Sequence, residues 1–385
     1  MMSPAAPAKP RRVLFAAVLA LCGTLNGLVL AYILVRHPFL NQDFLGFWAY
    51  PRFTPLPDIY QPEAMMRFQQ ALYPGFGSFY PFTYPPDVLL LTGWLRALPY
   101  NAARAIWLLA GLCCFAAAGW AFLRRRAGVL ALLASPAALL CIVLGQSSFF
   151  IGALLLGGLA ALPRRPILAG LLFGLLTIKP QMGLLLPFLL LALGQWRAIA
   201  AATVTAALLV ALSALVLPAQ LWRLWLASLP QIQHDYFSGS TNLNIMITPA
   251  ANALHLGAPP HLALALQAAC TLAAAICVWA AARRGTYQAA VAVLLAASFI
   301  AQPHAYAYDL VTLPAALMLG LRRAPALAQA LGLVLYIAPL LLFSPWAGYF
   351  CAAPFLAALL AVLTRLALQP PEGAISPHVA NHPAL

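Results

Sequence analysis

Unbroken runs of Ala, Leu, Val, Ile and Phe, parted by Pro, Gly or paired Arg, make up most of the chain. They cover 13–35, 101–123, 127–143, 148–162, 166–178, 182–195, 198–217, 261–281, 286–302, 308–321, 325–343 and 348–367. Polar and apolar residues do not alternate inside these blocks, which excludes the two-residue period of membrane β-barrel strands. Helices apolar on every face lie against lipid or against one another, and the longer blocks reach the ~20 residues that cross a bilayer. The pattern predicts an all-α polytopic membrane protein of about 12 transmembrane helices. Two stretches break it, residues 36–100 and 218–260, where aromatic, polar and Pro residues mix. In the first, Pro62 opens a helix with Met65, Phe68 and Leu72 on one face, expected to lie flat on the membrane. Val88 to Leu98 is apolar but only about 11 residues long, too short to cross roughly 30 Å, and reads as an interfacial or half-inserted helix.

Composition agrees: 64% of residues are hydrophobic, 7% charged, and the mean hydropathy is +0.90. Soluble domains hold roughly 45–50% apolar and about 25% charged residues. The net charge of +14 would suit nucleic acid, but the basic residues sit in pairs between apolar blocks, and no nucleic-acid partner is expected. Placing the N-terminus inside, with 13–35 as an uncleaved first span, collects Lys9, Arg11, Arg12, Arg124, Arg125, Arg126, Arg164, Arg165, Arg197, Arg283, Arg284, Arg322, Arg323 and Arg365 there, fourteen of the 21 basic residues. Residues 36–100 and 218–260 become outer loops, and residues 1–367 a single membrane domain. The tail 368–385 is expected to be cytoplasmic and disordered. Inner connections are too short for a nucleotide-binding domain. The seven cysteines all lie in apolar runs, which argues against disulfides or a zinc site.

Every acid except Glu372 falls on the outer side, so that face carries any acid chemistry. Asp43 sits just after the first span in an aromatic, almost uncharged neighbourhood, where an unpaired carboxylate is costly. Asp58 and Glu63 are expected to balance Arg52 and Arg67, and Asp87 to cap the short helix after Tyr84-Pro85-Pro86. Lys179 is the only lysine outside the N-terminal tail. It is either a snorkelling helix-end lysine or an anion site, with Gln146 and Gln181 in comparable outer turns. Asp309 opens an apolar helix and reads equally as a cap or as a catalytic acid, beside His304. In the second loop Asn242 and Asn244, with Trp222, Trp225, Tyr236 and Phe237, suit sugar or headgroup contacts, as do Trp48 and Tyr84 in the first. No Asp-x-Asp pair stands among the outer acids, so no metal is expected.

The ordered set Asp43-Phe44 with Phe47-Trp48, Ile59-Tyr60-Gln61-Pro62, Tyr84-Pro85-Pro86, Leu98-Pro99-Tyr100 with Trp107, Gly145-Gln146, Ala169 to Leu172 with Lys179-Pro180-Gln181, Gln195-Trp196-Arg197 and Tyr308-Asp309-Leu310 resembles glycosyltransferase family 87. The resemblance implies a GT-C fold whose first outer loop packs on the bundle to form the active site. It implies inverting transfer of mannose or arabinofuranose from a polyprenyl-phosphate donor to a lipid or glycan acceptor, at the outer face of the cytoplasmic membrane and without a separate cofactor. Carried over by position, Asp43 is the general base and Lys179 the donor-phosphate ligand, with Gln181 and Gln146 beside it. Many members place histidines after a Ser-Pro stretch where this chain has Gln302-Pro303-His304 and then Tyr308-Asp309, so either His304 or Asp309 takes that role. The alternative from another class is a multi-pass transporter or lipid flippase, which would gather ionisable groups near the bilayer midplane rather than at one face.

Overall fold

The computed structural model describes residues 8–36, 42–72, 80–237, 243–321, 324–344 and 351–369. Among them the regular structure is helical, and the one strand-like pairing is an isolated antiparallel bridge between Met246 and Tyr306. The chain opens with α1 (Ala8–Arg36) and then turns through the short α2 (Gln42–Ala49), the 3-10 turns Tyr50–Arg52 and Leu56–Tyr60, and α3 (Pro62–Leu72). Residues 80–87 lead to α4 (Val88–Thr92), which tightens into a 3-10 turn over Gly93–Ala97 before α5 (Tyr100–Leu123). So the short apolar segment is helical for its whole length, in two pieces.

The apolar face of α3 is used differently from the expectation. Met65 is fully buried and Phe68 packs edge-on against Phe53 at 5.1 Å. With Phe44, Phe47, Tyr50, Phe82 and Trp107 these side chains make a separate aromatic core under the segment between α1 and α5, so this face serves packing within the protein. Phe47 stacks on Trp107 of α5 at 5.0 Å, which ties that core to the bundle.

The bundle continues with α6 (Arg126–Leu133), α7 (Pro136–Leu144), α8 (Ser148–Ala161) and α9 (Pro166–Gly174). Two 3-10 turns, Leu175–Ile178 and Pro180–Gly183, precede α10 (Leu186–Ala192) and α11 (Trp196–Val216). Residues 218–260 hold α12 (Gln220–Phe237) and α13 (Pro249–His255), so their described part is mostly helix. Trp225 of α12 donates to the Thr83 carbonyl at 3.3 Å, closing α12 onto residues 80–87. Then come α14 (Pro260–Arg284), α15 (Tyr287–Ala301), a 3-10 turn over Ala307–Thr312, α16 (Leu313–Gly320), α17 (Ala326–Ile337) with its 3-10 extension Ala338–Phe343, and α18 (Ala353–Leu368). Helix α15 is the centre, since every residue from Ala290 to Ala301 is buried against neighbours that include α14, α16 and α18.

Among the described residues four helical stretches are long and apolar enough to cross a membrane: Tyr100–Leu123, Trp196–Val216, Pro260–Arg284 and Ala326–Phe343. A fifth counts if α6 and α7, bent by 50°, form one broken span. Around these, other apolar blocks form shorter helical stretches of 10–17 residues among the described residues. Proline is the physical reason, since it removes an N–H and clashes with the preceding turn. Pro136 divides the block at 127–143, Pro180 opens the turn between the blocks at 166–178 and 182–195, Pro187 lies in the first turn of α10, and Pro314 divides the block at 308–321. Ser135 then caps α7 by accepting from the Ala138 N–H at 3.2 Å.

Candidate active site

Asp43 lies in the first turn of α2, half-buried, against the turn between α7 and α8. Its carboxylate accepts a short hydrogen bond from the Gln146 side-chain amide. The turn that supplies Gln146 is held on several sides. Gly145 closes α7 at φ 69°, a left-handed conformation suited to glycine. Trp107 Nε1 donates to the Gly145 carbonyl at 3.1 Å, and the Cys141 thiol donates to the Gln146 carbonyl at 3.3 Å. The Ser147 N–H takes the Gln146 side-chain oxygen at 3.3 Å, which leaves the amide nitrogen for Asp43. Tyr80 also hydrogen-bonds the carboxylate. Gln69 of α3 fixes Tyr80 by a pair of bonds, donating to its carbonyl at 2.7 Å and accepting its N–H at 3.0 Å. Burial pushes the Asp43 carboxyl up to about 6, against the opposing pull of Gln146, Tyr80 and the charge of Lys179.

Lys179 is buried, in the joint between the two 3-10 turns that follow α9. It is neither exposed nor snorkelling. Its ammonium donates to Asp309 Oδ1 at 2.5 Å, and Ser148 Oγ donates to the same oxygen at 2.7 Å. The other oxygen of Asp309 accepts the Tyr306 N–H at 3.2 Å, so this aspartate both closes the start of its 3-10 turn and pairs the lysine. The lysine also sits 5.4 Å from the centre of the Tyr308 ring, which stacks on Tyr306 at 5.1 Å. Burial and the charge of Lys179 together push His304 down to about 4, leaving it a neutral imidazole at neutral pH. Asp43, Gln146, Lys179, His304 and Asp309 therefore share one electrostatic neighbourhood, assembled from the start of α2, the α7–α8 turn, the α9–α10 break and the entry to α16.

Among the other expected site residues, Tyr84 lies near enough to Tyr308 to act on it electrostatically. Gln181 is half-buried in the Pro180–Gly183 turn. Trp48 Nε1 donates to the Leu98 carbonyl at 3.0 Å, and its ring carries Arg52 at 3.8 Å. Arg52 in turn donates to the carbonyls of Trp48, Leu95, Arg96 and Leu98, so it binds backbone and is not balanced by Asp58, which accepts from Gln61. Tyr84 packs against Phe47 at 5.3 Å and its carbonyl accepts from Tyr60. Asn244 is half-buried in the 3-10 turn Leu243–Ile245, and Asn242 lies outside the described residues. Asp87 does not cap α4 through its side chain. It is fully buried with neither oxygen in hydrogen-bond geometry, although the Thr177 hydroxyl lies beside it, and burial raises its affinity for a proton. Sequence patterns do not single out Ser148, Tyr80 or Gln69. Ser148 adjoins the Gly145-Gln146 turn, whereas nothing in the local pattern marks Tyr80 or Gln69. Among the described residues no group of three His, Cys, Asp or Glu side chains is placed to hold a metal.

Comparison with known proteins adds an independent observation. The family model for glycosyltransferase family 87 matches residues 82–303, more than half of the chain. The matched stretch takes in Gln146, Lys179, Gln181 and Asn244, while Asp43 precedes it and His304 and Asp309 follow it. Neither the curated proteins nor the solved structures gave a match. On the family match, the chain belongs to glycosyltransferase family 87 and is a glycosyltransferase by that membership.

Proposed function

We propose that this chain transfers a sugar from a polyprenyl-phosphate donor, mannose or arabinofuranose being the expected sugars, to a lipid or glycan acceptor with inversion at the anomeric carbon. The observation that carries this reading is the meeting of one basic carboxylate and one buried ammonium in a single cluster, Asp43 and Lys179. In the reaction Asp43 takes the proton of the acceptor hydroxyl, whose oxygen attacks the anomeric carbon. The bond from that carbon to the phosphate oxygen breaks, and its electron pair leaves with the polyprenyl phosphate. Lys179 faces the charge that develops there. An ammonium has three N–H donors, of which Asp309 takes one. A single displacement inverts the configuration and needs no second carboxylate as nucleophile.

The apolar helices support a membrane protein, and the charge distribution supports termini inside and this cluster at the outer face of the cytoplasmic membrane. In this reading residues 1–367 form one GT-C domain of about 12 membrane segments, several broken by proline. Partners are membrane lipid, the donor and the acceptor, with no nucleic acid, separate cofactor or metal. Asp43→Asn is expected to abolish transfer from labelled polyprenyl-phosphate mannose by at least about 100-fold, with expression and membrane insertion intact. Wild-type transfer should persist in excess EDTA. Near-normal turnover in the variant would remove the base from the scheme, and movement of label across vesicles without a new glycosidic bond would favour a transporter.

A further inference from the structure

The paired arginines that set the topology also meet in space. Helix α5 ends at Leu123 and Arg124, α8 ends at Ala161, and α9 starts at Pro166 after Arg164 and Arg165. Between these ends and the start of α15 lies a cavity of about 620 Å³. It is remote from the Asp43 cluster. Ser148, which touches Asp309, opens α8, and the cavity lies at the other end of that helix, about 20 Å away at 1.5 Å per residue.

Its lining has two parts. Arg124, Arg164 and Arg165 stand at the rim, exposed, and none forms an ion pair among the described residues. No Asp or Glu lines the cavity. The body is walled mainly by apolar side chains, among them Phe122, Leu168 and Leu319, with Tyr287 and Gln288 also lining it. A volume equal to about 20 water molecules with such walls is too large and too apolar for a phosphate ion alone. A neutral lipid would fill the body and leave three guanidiniums unmatched. Guanidinium groups bind phosphate oxygens bidentately, so a molecule with a phosphate at one end and hydrocarbon at the other matches both parts.

We infer that this cavity is a binding site for an anionic phospholipid, its phosphate held by Arg124, Arg164 and Arg165 and a chain lying in the apolar body between α5, α8, α9 and α15. The site is separate from the transfer chemistry and does not rest on it. Native mass spectrometry of the purified full chain tests it, with equimolar phosphatidylglycerol and phosphatidylcholine as probes. Wild type should retain phosphatidylglycerol in preference by about tenfold, and millimolar inorganic phosphate should not displace it. The triple variant Arg124→Gln, Arg164→Gln, Arg165→Gln should lose the preference. Ala160→Trp, which fills the body and keeps the arginines, should lose the lipid. Equal retention of both lipids by wild type, an unchanged preference in either variant, or displacement by inorganic phosphate would overturn the assignment. Should the triple variant fail to insert, the comparison of wild type with Ala160→Trp decides.

Discussion

Asp43 takes up its proton near pH 6 because burial outweighs the donors that favour its charged form. As a base it is competent only when ionised, so kcat/KM for transfer is expected to rise through an apparent pKa of about 6. Gln146 donates to the carboxylate, and Gln146→Ala should therefore move that acid limb to higher pH, a shift read from the pH–rate profile. Stability follows the same affinity with the opposite consequence: the folded chain holds this proton more tightly than the unfolded chain does. Its contribution is full below the ordinary carboxylate range and lost as pH rises through about 6. The Lys179–Asp309 pair makes a second case. Asp309 is fully buried, and Asp309→Asn would strand an ammonium, at a cost of about 3–5 kcal/mol. Thermal unfolding should show that loss, and Lys179→Met added to it should restore part of the stability. Both partners are visible in the sequence as an isolated lysine and a helix-opening aspartate. Their pairing is not, because it joins positions far apart in the chain through a proline-broken turn that no local period encodes.

Helix α9 owes its close approach to α11 to two glycines a turn apart, Gly170 and Gly174. A methyl group at Gly174 would meet the Ala202 carbonyl at 2.7 Å, and one at Gly170 would meet the α11 backbone around Ala198 and Ala202. Backbone cannot yield as a side-chain tip can, so Gly170→Ala and Gly174→Ala are each expected to destabilise the chain by about 1–3 kcal/mol. Denaturation of the purified variants checks this, and wild-type stability would show that α11 moves aside freely. At this scale helix identity is legible from apolar blocks and from Pro62, which does open α3. Helix continuity is not, since a proline inside an apolar run can kink a span or end it, and the choice depends on packing. The direction of α3 is also hidden: its apolar face fits a membrane surface or an aromatic core equally well, and Phe53 and Trp107 lie too far along the chain for periodicity to pair them.

Across the whole molecule, the aromatic core beside the start of α5 and the arginine-rimmed cavity at its end mark opposite ends of the bundle. If the proposed orientation holds, a cysteine at the exposed Gln61 is labelled by an impermeant thiol reagent in intact cells, whereas one at Arg164 is labelled only after the membrane is opened. The reverse pattern would invert the topology. Charge asymmetry suffices to propose this layout, but it leaves the second outer stretch as a loop, whereas α12 folds onto residues 80–87 through Trp225. The short bridge between Met246 and Tyr306, with the Ile247 N–H on the Ala305 carbonyl at 2.9 Å, clips that same stretch to the connection bearing His304 and Asp309. Any outward movement of residues 243–248 would therefore pull on the connection that carries Asp309, the counter-ion of Lys179.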